Sequence, residues 1–180
     1  MNCPYYDRDD AMNKSSLLVL HNYNDHANKL VLDTAAKLDE SAFSIASSPS
    51  HGSVQGLLTH MLTTEFFFLA RCEGKPIQPK PAAAALSLEE LRVTFAQVAA
   101  ERRRYLEWIT EELLAQEVTI PIGGNDFKLA RWQFLLQSLI HSAHHRGELS
   151  IVMTGIGAPL PTLDIIIPFV NASGQQWPWS

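Results

Sequence analysis

Cysteine is nearly absent: Cys3 and Cys72 are the only two in a chain of 180 residues. Two thiols cannot build a disulfide framework, and Cys3 falls in a stretch, residues 1–12, that we expect to be loose. Long apolar runs are missing as well. Nothing approaches the roughly 18 to 20 residues that span a bilayer, and the first thirty residues hold no apolar segment flanked by basic ones. We therefore expect no membrane partner and no secretory signal, which leaves the cytoplasm as the default compartment. Positive charge is scarce too. With 14 Lys and Arg against 19 Asp and Glu the net charge is −5. The nearest thing to a basic cluster, Arg102-Arg103-Arg104, lies between Glu101 and Glu107 and reads as a solvated helix face. No nucleic-acid partner is expected. The 46% hydrophobic and 18% charged content excludes a disordered chain, and the length suits one domain over residues 1–180.

What is present is helical periodicity. Leu17, Leu20, Ala27, Leu30, Val31 and Leu38 form a stripe that predicts a first helix from about Asn13 to Leu38. Asp39 to Gly52, with its serines and Pro49, reads as a linker. A second helix is expected from Ser53 to Gly74, where glycine precedes Pro76. Lys75 to Leu86 is a proline-rich connection. Ser87-Leu-Glu-Glu90 is a capping box that opens a third helix, whose stripe continues through Tyr105, Ile109 and Leu113. Glu117 to Leu129 suggests a small hairpin around Gly123-Gly124. A fourth helix is expected from Ala130 to Thr154, and the apolar run Leu163 to Phe169 in the tail should pack on the bundle or on a second subunit. Four amphipathic helices with almost no strand make an all-α, four-helix bundle, a recurrent home for metal sites.

The fourth helix carries His141 and His145. Four residues along a helix is a rotation of about 40° and a rise of about 6 Å, so both imidazoles leave one face, close enough to share an ion. A third ligand must come from elsewhere. His51 precedes the second helix and reads as a solvated loop residue. His144 points to the opposite side of His141 from His145, which suits the surface or a place beside the ligands, although it could turn towards a neighbouring helix. His60 sits at the margin of the second helix's buried stripe, where a hydrogen-bonded core histidine and a ligand are both open. Cys72 is about 18 Å along the same helix, too distant to join it.

Ser53-Val-Gln-Gly-Leu-Leu-Thr-His60 with Glu65, and Leu139-Ile-His-Ser-Ala-His-His-Arg-Gly-Glu-Leu149 with Gly157, Pro159 and Leu163-Asp164, resemble the second and fourth helices of the DinB family, also called YfiT-like. Tyr23 to Asn28 resembles the family's first helix more loosely. The likeness runs over roughly residues 13 to 170. It implies a four-helix bundle with a three-histidine metal site, whose ligands carry over to His60, His141 and His145. Where the family commonly has glutamine after Arg-Gly, this chain has Glu148, which changes the charge near the site or interacts with Arg146. Where it has tryptophan, this chain has His26, a candidate fourth nitrogen.

Three neutral imidazoles leave a divalent ion, zinc or nickel, with its charge uncompensated and a position open, as in catalytic sites. No second carboxylate cluster with Glu-x-x-His spacing suggests a di-iron centre. The weak catalytic candidates are Glu65, Arg102 and Glu148. Glu65 lies roughly 140° round the helix from His60 and suits a structural role better; Arg102, inside an apolar stripe, suits a buried ion pair. Gly147 suggests a close helix approach. The resemblance implies a metal-dependent enzyme, foremost a transferase or isomerase that uses a low-molecular-weight thiol on a small-molecule substrate. A metal-dependent hydrolase and a non-catalytic metal-binding stress-response protein are the other readings. Wide apolar faces, with Trp177 and Trp179 in the tail, suggest a homodimer.

Overall fold

A computed structural model describes residues 11–76 and 86–178. Four long helices dominate it: α1 (Lys14–Ala35), α3 (Val54–Cys72), α4 (Leu88–Trp108) and α6 (Arg131–Gly155). Short helices α2 (Glu40–Ser44), α5 (Glu111–Ala115) and α7 (Ile166–Ala172) fill the connections, and strands β1 (Glu117–Ile122) and β2 (Asn125–Ala130) form an antiparallel hairpin. The expected bundle and hairpin are both there. Cys3, Trp179 and most of the Lys75 to Leu86 connection lie outside the described residues.

Three of the four long helices start where the sequence offers a side-chain cap; α6 follows Ala130, whose amide donates to Gln133 instead. Asn13 accepts from the Ser16 amide, Ser53 from Gly56, and Ser87 forms the full capping box with Glu90. The third helix ends earlier than its stripe suggests. Ile109 is extended, and Thr110 caps the separate α5 by accepting from Leu113. A β-branched pair followed by Glu-Glu is a fresh helix start, so one apolar stripe covers two elements. The first helix likewise stops at Ala35, and α2 occupies part of the linker because Asp39 caps it.

Helix α3 packs on α6 and α4, and α1 packs on the same two, so α1 and α3 stand diagonally across the bundle. The connection between them must therefore cross one end of it. Leu17, Val31, Leu57, Met61, Leu91, Leu106, Leu135 and Leu149 pack together in the centre. Truncating a leucine buried this fully costs about 2–5 kcal/mol. Leu163 packs against this core and accepts a hydrogen bond from the Tyr23 hydroxyl. The rest of the apolar run turns outward, with Ile166 and Phe169 exposed in α7.

The middle of the bundle is polar. Glu65 and Arg102 are each 1% exposed and paired at 2.8 Å. Glu65 Oε1 also accepts from Asn24, Asn28 and Ser142. Burial works to raise the Glu65 carboxyl, but Arg102 and these three donors overcome it and hold it at about 2. Asp25, the second partner of Arg102, goes the other way. Its burial outweighs the Arg102 charge, and the like charge of Glu65 adds to it, so it is pushed up to about 6. Removing one partner of a buried pair such as Glu65–Arg102 costs about 3–5 kcal/mol, because a charge is left behind in the core.

His21, also buried in this layer, is pushed down to about 3 by burial and then by the Arg102 charge. The folded protein keeps it neutral where the unfolded chain, with an ordinary value of 6.5, takes up a proton. Its contribution is present above pH 6.5 and lost as pH falls towards 3. Stability should drop by about 2 kcal/mol between pH 6.5 and 5 on this account. In urea titrations of metal-free protein, His21→Phe should flatten that slope; an unchanged slope would remove His21 as its cause.

Candidate metal centre

His141 and His145 leave α6 one turn apart, and the packing of α3 against α6 brings His60 to them. His60 Nε2 lies 3.0 Å from His141 Nε2, and His145 Nε2 lies 3.2 Å from it. The three rings meet edge to face or tilted, with centroids 4.4 to 4.9 Å apart. An ion at zinc–nitrogen distances of 2.0–2.1 Å in tetrahedral geometry separates its ligand atoms by about 3.3 Å. The two spacings to His141 match that span. One N–H cannot satisfy three converging nitrogens, whereas a cation can, so the donor set fits a metal.

The electrostatics agree. Burial, then the neighbouring His145, His144 and His51, push His141 down to about 4. Burial, then His51 and His144, lower His145, against a smaller opposing effect of Glu148. Both are neutral at pH 7, the form in which imidazole binds a metal.

The residues that follow the two histidines anchor α6. Ser142 donates to Glu65 at 2.7 Å, and Arg146 donates to the side-chain oxygens of Asn24 and Asn28 at 2.6 and 2.7 Å. These bonds turn one side of α6 towards α1 and the buried carboxylate, which leaves His141 and His145 facing His60. Arg146 is thus committed to α1, and Glu148 does not pair with it. Glu148 instead accepts from the Ser48 hydroxyl at 2.6 Å and from the Ser50 hydroxyl at 2.6 Å, and its Oε2 lies 3.6 Å from His145 Nδ1. Burial works to raise it, but the serine hydrogen bonds prevail and hold it at about 2.

His51 overturns the expectation of a solvated loop residue. It is half-buried, stacks on His60 with ring centroids 3.7 Å apart, and stands edge-on to His145 at 5.2 Å. One ring nitrogen on each of His51, His60 and His145 lies within 4.8 Å of the others. The loop reaches this place because the crossing from α1 to α3 passes over it and Glu148 ties it down. Gly56 was the available signal: a Cβ there would sit 2.1 Å from the His51 carbonyl oxygen. The close approach expected at Gly147 belongs to Gly56, since a Cβ on Gly147 would meet nothing within 4 Å.

The other candidates lie elsewhere. His26 is exposed on α1 and does not belong to the cluster; His144 is exposed and touches only the edge of His145 among the rings described. Glu65 and Arg102 sit in the polar core, with both Glu65 oxygens engaged. Cys72 is buried, its thiol pushed up to about 12 by that burial, which leaves it inert as a nucleophile.

A model of the DinB family matches residues 12–169. The chain belongs to the DinB family. Among solved structures, this DinB chain is similar to a DinB-like protein from Bacillus subtilis, with 22% identity and a TM-score of 0.62 over 81% of this chain and 97% of that one. It is also similar to a conserved protein from Enterococcus faecalis, with 16% identity and a TM-score of 0.59 over 79% and 96%. These likenesses concern the fold. No curated protein matches the chain.

Gly56→Ala should destabilise the protein by roughly 1–3 kcal/mol although alanine is the better helix former, because the added methyl drives the loop off α3. Chemical denaturation checks the sign, and a stabilised variant would mean that the His51 loop gives way at no cost.

Proposed function

We propose that this protein is a metal-dependent enzyme in which His60, His141 and His145 hold a divalent ion, zinc or nickel, and that it transfers a low-molecular-weight thiol to, or isomerises, a small-molecule substrate. The observation that carries the reading is the convergence of three Nε2 atoms from two helices at 3.0 and 3.2 Å. A divalent ion there supplies a Lewis acid that brings a bound thiol or water towards ionisation near neutral pH. The chain's own residues do the rest. Three neutral imidazoles leave the cation's charge uncompensated, which favours an anionic ligand such as a thiolate. His60 and His141 are only half-buried, so a substrate can approach from their side. Glu65 and Arg102 set the helices and take no part in proton transfer, while Glu148 holds His145 and the loop beside it. The preference for thiol chemistry comes from the family; a thiol cosubstrate also belongs in a reducing compartment, which favours the cytoplasm. Among the described residues no helix is long and apolar enough to cross a membrane.

Elemental analysis of purified protein should find close to one zinc or nickel per chain, and His141→Ala should lose it. The loaded protein should then consume an electrophile only when a thiol is supplied. Acid release without thiol would replace transfer with hydrolysis. Bound metal with neither reaction would leave the ion as a brace for the bundle.

The same reading includes a homodimer through the outer face of α6. Ile140 and Ile151, 54% and 77% exposed, are eleven residues apart and so lie on one face. Sedimentation should show a dimer that Ile151→Glu splits; a monomeric wild type at micromolar concentration would end that part of the reading.

A further inference from the structure

We propose that His51 is a fourth nitrogen donor to this centre, an exchangeable one carried by a loop where the other three stand on helices. The inference rests on the three-histidine reading and assigns that site its means of opening and closing.

Hydrogen-bond bookkeeping fixes the chemistry of the ring. The Ser50 hydroxyl lies 2.6 Å from Glu148 Oε2 and 2.7 Å from His51 Nδ1. It has one hydrogen, and an ionised carboxylate only accepts, so that hydrogen goes to Glu148. The contact with His51 must then be Nδ1–H donating to the Ser50 oxygen. That tautomer carries its lone pair on Nε2. This is how ligating imidazoles are usually prepared: the second nitrogen donates to an acceptor that a carboxylate orients in turn.

The backbone of the loop is held in the same way. The Ser48 hydroxyl accepts from the His51 amide at 3.1 Å and donates to Glu148 Oε1. Ser48 and Gly52 close an antiparallel bridge, with Gly52 at a φ of 79° that few other residues adopt. Every one of these bonds would serve equally well with another side chain at position 51. What the arrangement adds is an imidazole of set tautomer beside three others.

The cluster leaves room for exchange rather than a permanent bond. The His51, His60 and His145 nitrogens lie within 4.8 Å of one another, a wider spread than the tetrahedral span of about 3.3 Å, so drawing all of them onto one ion requires movement within the cluster. A loop tethered at its base moves readily, whereas packed helices do not. With His51 engaged, four nitrogens would close the sphere as in a structural site; with His51 stacked back on His60, one position would be left for the substrate.

Cobalt(II), titrated into metal-free full-length protein and followed by visible absorption and calorimetry, tests this. Wild type should bind one ion with the absorption of a four-coordinate site. His51→Ala should still bind one ion, at least about tenfold more weakly and with an altered spectrum, and Ser50→Ala should fall between the two. His51→Phe keeps the stack on His60 and should behave as His51→Ala does, which separates ligation from packing. A His51→Ala spectrum and affinity equal to wild type overturns the proposal, and the three-histidine reading survives if His141→Ala is defective in the same titration. A wild type that takes up no cobalt removes both.

Discussion

One buried carboxylate ties the four long helices together. Glu65 projects from α3 and takes hydrogen bonds from Asn24 and Asn28 of α1, from Arg102 of α4 and from Ser142 of α6. Apolar packing alone tolerates small rotations and slides of a helix, because it is not directional. Charge-assisted hydrogen bonds are directional, and breaking one strands a charge in the core. The rotation of every helix in the bundle is therefore referred to a single point. Ser142 follows His141, and Arg146, which fixes the Asn24 and Asn28 amides from the other end, follows His145. Turning α6 away from the position that brings its histidines to His60 would break the bonds to Ser142 and Arg146 together.

How much of this could be read from the residues depended on the range of the interaction. His141 and His145 were legible because helical geometry alone puts them on one face. Their partner was harder: His60 was indistinguishable from a core histidine until the family likeness selected it. Glu65 and Arg102 showed themselves as misfits, a carboxylate off the ligand face and a cation inside an apolar stripe, but only the fold shows that they misfit towards each other. His51 reads as solvated from sequence because its position comes from a loop, and a loop's course is set by what it crosses and what holds it. The holding residue, Glu148, lies almost one hundred positions away in the chain. The early end of α4 was missed for a local reason, since an apolar period does not register a kink that Thr110 caps.

The charge around the centre follows from the same layout. Beneath the histidines, Glu65 and a largely ionised Asp25 face Arg102 and Arg146, so the polar core is close to neutral as a unit. Neutrality here has a consequence for the site above. A core that kept an unpaired carboxylate would offset part of the charge of a cation at that site; a paired one would offset less. Glu148, 3.6 Å from His145 Nδ1, has its oxygens spent on Ser48 and Ser50. An ion held by these imidazoles would thus keep most of its positive charge for whatever enters from the half-exposed side. Water would satisfy that demand weakly and an anion well, so with an ion bound the four helices, by cancelling their own charges internally, would favour negatively charged ligands.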